Sequence, residues 1–109
     1  MAYDEGLAQR VREALDERSD VTEKKMFGGL AFLLGGNMCV GVVGEDLLVR
    51  VGPGAYDEAL REPHAREMDF TGRPMKGLVF VAAGGLESDR VLQRWVDRGV
   101  RFASALAPK

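Results

Sequence analysis

Hydrophobic and polar positions change their period along the chain, and each change predicts a different kind of element. Near the N-terminus the apolar residues Leu7, Val11 and Leu15 recur at helical spacing, which predicts a helix over Asp4–Arg18. The next part of the chain consists of short apolar runs separated by glycine-containing turns, which is typical of antiparallel strands. These runs predict strands over Met26–Leu34, Met38–Val43 and Leu47–Val51.

Four further elements are predicted in the C-terminal half. Pro63 ends the first of them, and Ser88 is a suitable N-cap for the last. In chain order they are a helix over Ala55–Arg61, a strand around Met68–Phe70, a strand over Gly77–Ala82 and a helix over Asp89–Leu106. The order αβββαββα predicts one α+β domain over residues 1–109, a two-layer sandwich in which helices pack on an antiparallel sheet.

The predicted strands are apolar on both faces. Leu30–Leu34 and Met38–Val43 are apolar at nearly every position, whereas a strand with one solvated face alternates apolar and polar residues. Helices of the predicted lengths cover one face of the sheet. The other face would be covered by a second copy of the chain or by the long loops of the same chain. We expect the homodimer.

Charge and composition narrow the function classes. The 109 residues carry 15 basic and 17 acidic side chains, a net charge of −2, so we expect direct DNA binding by this domain to be weak or absent. The chain has one cysteine and therefore no internal disulfide. The acidic opening Met1–Glu5 does not read as a signal peptide, and no apolar run approaches the roughly 20 residues that span a bilayer. We expect a cytoplasmic protein without a membrane partner.

Candidate catalytic chemistry is limited to one thiol and one imidazole. Cys39 and His64 are formally available as a nucleophilic pair. Cys39, however, lies between Met38 and Val40 in a predicted strand, where a small buried residue is expected rather than a reactive thiolate. One cysteine and one histidine do not make a zinc site, and the glycine pairs lack the context of a dinucleotide loop. We predict no catalytic, cofactor-binding or metal-binding residues, and no enzymatic activity.

Basic side chains form two groups. A stripe on the last helix is interpreted either as a phosphate-contacting surface or as solvated charge that is partly paired with the acidic first helix, and we favour the second; its members are Arg90, Arg94, Arg98 and Arg101. The other group lies at turns beside apolar residues, which suits a contact with a protein partner. It predicts a partner-binding surface made of Lys24, Lys25, Met26, Arg73, Met75 and Lys76.

Several segments together resemble the TfoX/Sxy N-terminal domain family. They are Met1–Asp4, Glu23–Gly29, Gly36–Met38, Val49–Gly52 and Met68–Gly77. The resemblance spans nearly the whole chain and implies a fold similar to that of type III secretion chaperones. Longer members regulate natural competence and carry a second, C-terminal domain, which these 109 residues do not include. The resemblance offers no established catalytic residues.

Two functional hypotheses follow from the residues and the resemblance. The favoured one is a non-enzymatic regulatory or protein-interaction module, similar to the N-terminal domain of competence regulators. The alternative is a small ligand-binding protein or enzyme that uses a pocket between the sheet and the helices.

Overall fold

The computed structural model describes residues 3–26, 28–68 and 75–107. In these residues three α-helices and six strands follow one another in the order α1-β1-β2-β3-β4-α2-β5-β6-α3. Their bounds are α1 Glu5–Ala14, β1 Val21–Met26, β2 Gly29–Leu34, β3 Asn37–Val43, β4 Asp46–Arg50, α2 Tyr56–Leu60, β5 Ala65–Glu67, β6 Leu78–Val81 and α3 Asp89–Ser104. Short 3-10 turns, Pro53–Ala55 and Ala83–Gly85, come before α2 and α3.

All the strand pairs in the described part of the chain are antiparallel. The strands form one sheet in the spatial order β1-β2-β3-β4-β6-β5, so β1 and β5 are its edges. The predicted α+β architecture with an antiparallel sheet is therefore confirmed. No helix among the described residues is long and apolar enough to cross a membrane.

The three helices pack on one face of the sheet. Leu7 and Val11 of α1, Tyr56 of α2 and Trp95 of α3 belong to the same buried cluster as the alternate strand residues that face them. Those strand residues include Leu30, Phe32, Leu34, Val42, Leu47, Val49, Val79 and Val81. Trp95 lies in the core, only 4% exposed, and Ser88 caps α3 as predicted, by accepting a hydrogen bond from the Val91 amide.

Helix α3 approaches the sheet most closely at Gly99. A Cβ built on Gly99 would lie 2.3 Å from the carbonyl oxygen of Cys39 in β3. Only glycine permits this distance between the helix backbone and the strand backbone. The close approach brings the neighbouring core residues Val96 and Val100 into the interior, and both are buried.

Strand β1 differs from the sequence expectation. The pattern predicts a first strand over Met26–Leu34, but the chain turns inside that range at Gly28, whose φ is +72°. The residues before the turn form β1 and those after it form β2. The run Thr22–Lys25 is polar at every position and shows no apolar alternation, because both faces of this edge strand are exposed.

Other elements differ in their bounds. Helix α1 ends at Ala14, four residues before the predicted Arg18, and α3 ends at Ser104. Strand β5 covers Ala65–Glu67, just before the predicted strand Met68–Phe70. Of that predicted strand, residues 69 and 70 lie outside the described residues.

Candidate partner-binding face

Neighbouring lysines of β1 lie on opposite faces of the sheet. In the antiparallel register Lys25 pairs with Leu30, which belongs to the core under the helices, whereas Lys24 pairs with Ala31. Residues directly opposite each other share a face, and consecutive residues alternate. Glu23 confirms the assignment, because its carboxylate binds the Arg12 guanidinium of α1 at 2.7 Å, on the helix side. Of the predicted surface, Lys24 therefore lies on the face away from the helices and Lys25 does not.

We call the sheet face opposite the helices the second face. It is defined by residues of all six strands together with Met68: Lys24, Met26, Ala31, Leu33, Met38, Val43, Leu48, Arg66, Leu78, Phe80 and Met68. Its centre is buried within the single chain, where Met68 packs against Leu48 and Phe80 in a second apolar cluster. Its rim stays partly exposed, with Met38, Val43 and Leu78 around that cluster.

Methionine gathers at this face. Met26 and Met38 lie on it by register, and Met68 is fully buried in its centre. The amide of Met75 donates a hydrogen bond to the carbonyl oxygen of Met68, 3.0 Å away, which holds Met75 at the same place. Met75 is 42% exposed and is the one large apolar side chain in the described part of the chain that is classed as exposed.

Positive charge flanks the second face at both edges. Lys24 lies on β1, and Arg66 on β5 stacks its guanidinium 5.0 Å from the Phe80 ring centroid and pairs with Asp46. Lys76 is exposed just before β6. Neither Lys24 nor Lys76 has an ion-pair partner among the described residues.

The two predicted basic segments lie apart across the sheet. Four strand spacings separate β1 from β6, which is about 19 Å at the usual inter-strand distance. Lys24 and Lys76 therefore do not form one continuous patch. Arg73 lies outside the described residues.

The formal nucleophilic pair is not assembled. Cys39 is fully buried in β3, its Sγ donates to the carbonyl oxygen of Phe32 at 3.3 Å, and burial raises the pKa of its thiol to about 11. His64 is exposed in the loop before β5, which is three strands away from β3 in the sheet. Within residues 3–26, 28–68 and 75–107 no group of three or more His, Cys, Asp or Glu side chains is arranged to hold a metal ion.

The arginine stripe of α3 pairs with a different helix from the one expected. Arg98 and Arg94 bind Glu62, which follows α2, at 3.1 and 3.5 Å, and Arg98 also lies 4.0 Å from Glu58. Arg90, Arg94 and Arg101 are exposed, as expected of solvated charge, but no ion pair among the described residues joins the stripe to α1, so the expected partial pairing with α1 is wrong. Helical periodicity shows that these arginines share a face, but it does not show which neighbouring element that face meets.

A cleft opens between α3 and the turn that leads into α2. It has a volume of about 320 Å³, an apolar floor made by Val51, Ala55 and Phe102, and charged walls made by Glu58, Arg98 and Arg101. The sequence predicts, as an alternative, a pocket between sheet and helices but does not identify these residues. The only signal in the sequence was the spacing of Arg98, Arg101 and Phe102 on one helix.

Comparison with known proteins identifies one family. Residues 13–103 match the profile of the TfoX N-terminal domain, so the match extends from α1 into α3 and includes all the described strands. No curated protein and no solved structure matches the chain.

Proposed function

We propose that this chain, which belongs to the TfoX N-terminal domain family, is a non-enzymatic regulatory module that binds a protein partner through its second face. The observation that carries the proposal is the concentration of methionine on that face, beside the exposed Lys24 of the edge strand β1. Family membership supports a domain of the kind found in competence regulators.

The side chains of the second face suit adaptable binding. Methionine is unbranched and polarizable, so it repacks against different partner surfaces, and such residues are common on regulatory binding surfaces. The exposed Met75 offers apolar contact area, while Lys24 and Lys76 supply charge that orients an acidic partner and speeds association. A protein partner with an acidic border around apolar side chains fits this arrangement.

A protein partner fits better than DNA. The net charge of −2 gives no general attraction for phosphate, and several arginines are already paired with carboxylates. We expect direct DNA binding by this domain to be weak at physiological salt. A mobility shift of DNA that weakens steeply as salt is raised would contradict this expectation.

Charge reversal at adjacent positions of β1 tests whether the partner binds at the second face. Lys24→Glu places a negative charge on the second face, and Lys25→Glu places the same charge on the helix side of the same strand. Both lysines are exposed, so each variant should keep the wild-type melting temperature to within a few degrees. Tagged wild type and variants are used to capture partners from native extract, and the recovered proteins are quantified by mass spectrometry.

The expected result separates the two faces. A partner recovered by wild type and by Lys25→Glu should be depleted with Lys24→Glu and with a Met75→Ser variant. If Lys24→Glu and Met75→Ser retain every partner while Lys25→Glu loses one, the partner binds on the helix side. If all the variants recover the same proteins in the same amounts, the second face is not the binding surface.

A further inference from the structure

The cleft beside α3 has a fixed floor. Gly52 has a φ of +86°, and a Cβ placed on it would lie 2.4 Å from Cδ1 of Phe102, so the aromatic ring lies directly on the Gly52 backbone. The amides of Val51 and Gly52 both donate to the carbonyl oxygen of Gly77, at 2.9 and 3.1 Å. The Arg50 guanidinium lies 5.2 Å from the centroid of the Phe102 ring. A ligand that enters the cleft therefore meets a formed apolar surface and loses little affinity to ordering it.

One arginine of the cleft is available to bind a ligand. Arg98 is held between Glu62, at 3.1 Å, and Glu58, at 4.0 Å. Arg101 is exposed, lines the same cleft, and has no ion-pair partner in the part of the chain that the structure describes. Among the charged side chains that line the cleft, Arg98 and Arg101 outnumber Glu58, in a chain whose net charge is negative. The local excess of one positive charge favours a monoanion.

We propose that this cleft binds a small amphipathic carboxylate. Its aliphatic part lies on Phe102, Val51 and Ala55, and its carboxylate accepts hydrogen bonds from the guanidinium of Arg101. The planar guanidinium fork matches a carboxylate with two parallel hydrogen bonds, which a hydroxyl or an amide does not reproduce. The volume of about 320 Å³ lies at the lower end of the range for small-molecule sites and limits the ligand to a short chain. The cleft lies among the helices, so this inference is independent of partner binding at the second face.

The chain carries its own reporter for the cleft. Trp95 is the single tryptophan, and the Arg98 guanidinium lies 4.7 Å from the centroid of its ring. A carboxylate bound beside Arg98 changes the position or the electrostatic field of this guanidinium. Binding should therefore change the fluorescence of Trp95.

Octanoate is the probe, and octanol is its uncharged counterpart. We expect octanoate to give a saturable change in Trp95 fluorescence, confirmed by calorimetry on the same protein. Octanol should bind at least about tenfold more weakly, because it lacks the charge-assisted hydrogen bonds to Arg101. If neither method detects saturable octanoate binding, or if octanol binds equally well, the proposal is overturned.

Two charge reversals on α3 locate the site. Arg101→Glu should lower the affinity for octanoate by about tenfold or more, because it replaces the anion's partner with a like charge. Arg90→Glu is the matched control, since Arg90 is also exposed on α3 but does not line the cleft. Circular dichroism checks that both variants are folded. Equal affinity in Arg101→Glu and wild type, or equal loss in both variants, would rule out this cleft as the site.

Discussion

At the residue scale, Cys39 is a buried thiol at a local irregularity of the sheet. In the register of β2 and β3, Phe32 pairs with Val40 and Leu33 pairs with Met38, so Cys39 has no residue opposite it. Its side chain lies in the core and donates to the Phe32 carbonyl oxygen. The sequence analysis predicted burial of Cys39 from its apolar neighbours, and this is confirmed. The unpaired position was not predictable, because it depends on how two strands align.

Burial of Cys39 predicts a specific dependence of stability on pH. Burial raises the pKa of the thiol from 9.0 to about 11, so the folded state holds this proton more tightly than the unfolded state does. The contribution of this bound proton to the free energy of unfolding is fully present below about pH 9 and is lost as the pH rises to about 11. Urea unfolding at about pH 8 and about pH 10 should show a larger fall in the free energy of unfolding for wild type than for Cys39→Ala.

The same burial predicts slow chemistry at Cys39. A thiol reagent should react slowly with the folded protein and rapidly after unfolding, because the folded state limits both access and thiolate formation. Equal rates in the two states would show that the thiol is accessible, and would restore it as a candidate nucleophile.

At the scale of elements, helix α3 was predictable and strand β1 was not. The apolar face of α3 repeats over sixteen residues and begins at a good N-cap, so local information defines it. Strand β1 is polar on both faces over Thr22–Lys25, and it is a strand only because β2 pairs with it. The cleft depends on Phe102 lying against Gly52, a contact between residues far apart in the chain, and no local pattern predicts it.

The contact of α3 with β3 provides a test of this packing. Gly99→Ala places a methyl group 2.3 Å from the Cys39 carbonyl oxygen and should lower the free energy of unfolding by about 1–3 kcal/mol. The overpacking is opposed by the higher helix propensity of alanine, worth about 1 kcal/mol. Gly54→Ala is the control, since a Cβ on Gly54 meets nothing within 4 Å. Urea unfolding of both variants measures the difference, and equal stability would show that α3 does not approach β3 this closely.

At the scale of the whole molecule, two surfaces could bind a second copy of the chain, the edge strand β1 and the second face, and they differ in charge. Two copies that pair antiparallel along β1 around a two-fold axis place residues of the same face opposite each other. If the two-fold axis passes at Glu23, Lys24 or Lys25, that residue lies directly opposite the same residue of the second copy. Like charges directly opposite each other are destabilising. These charges protect the edge from pairing with itself. The partly exposed apolar rim of the second face has no such repulsion at Met38, Val43 or Leu78.

We propose that, in the absence of the partner, the chain forms a homodimer through this rim, with Lys24 left at the border of the interface, so that a second copy and the partner compete for the second face. Light scattering coupled to size exclusion should give about twice the chain mass at micromolar concentrations. Met38→Lys should shift the protein to the monomer, because it adds a charge to the apolar interface while its long side chain is compatible with a partly exposed site. Lys25→Glu, on the helix side of β1, should leave the mass unchanged. If the wild type remains monomeric at every accessible concentration, the dimer is excluded. The second face would then be covered by its own chain alone, as the burial of Leu48 and Ala31 within one chain indicates.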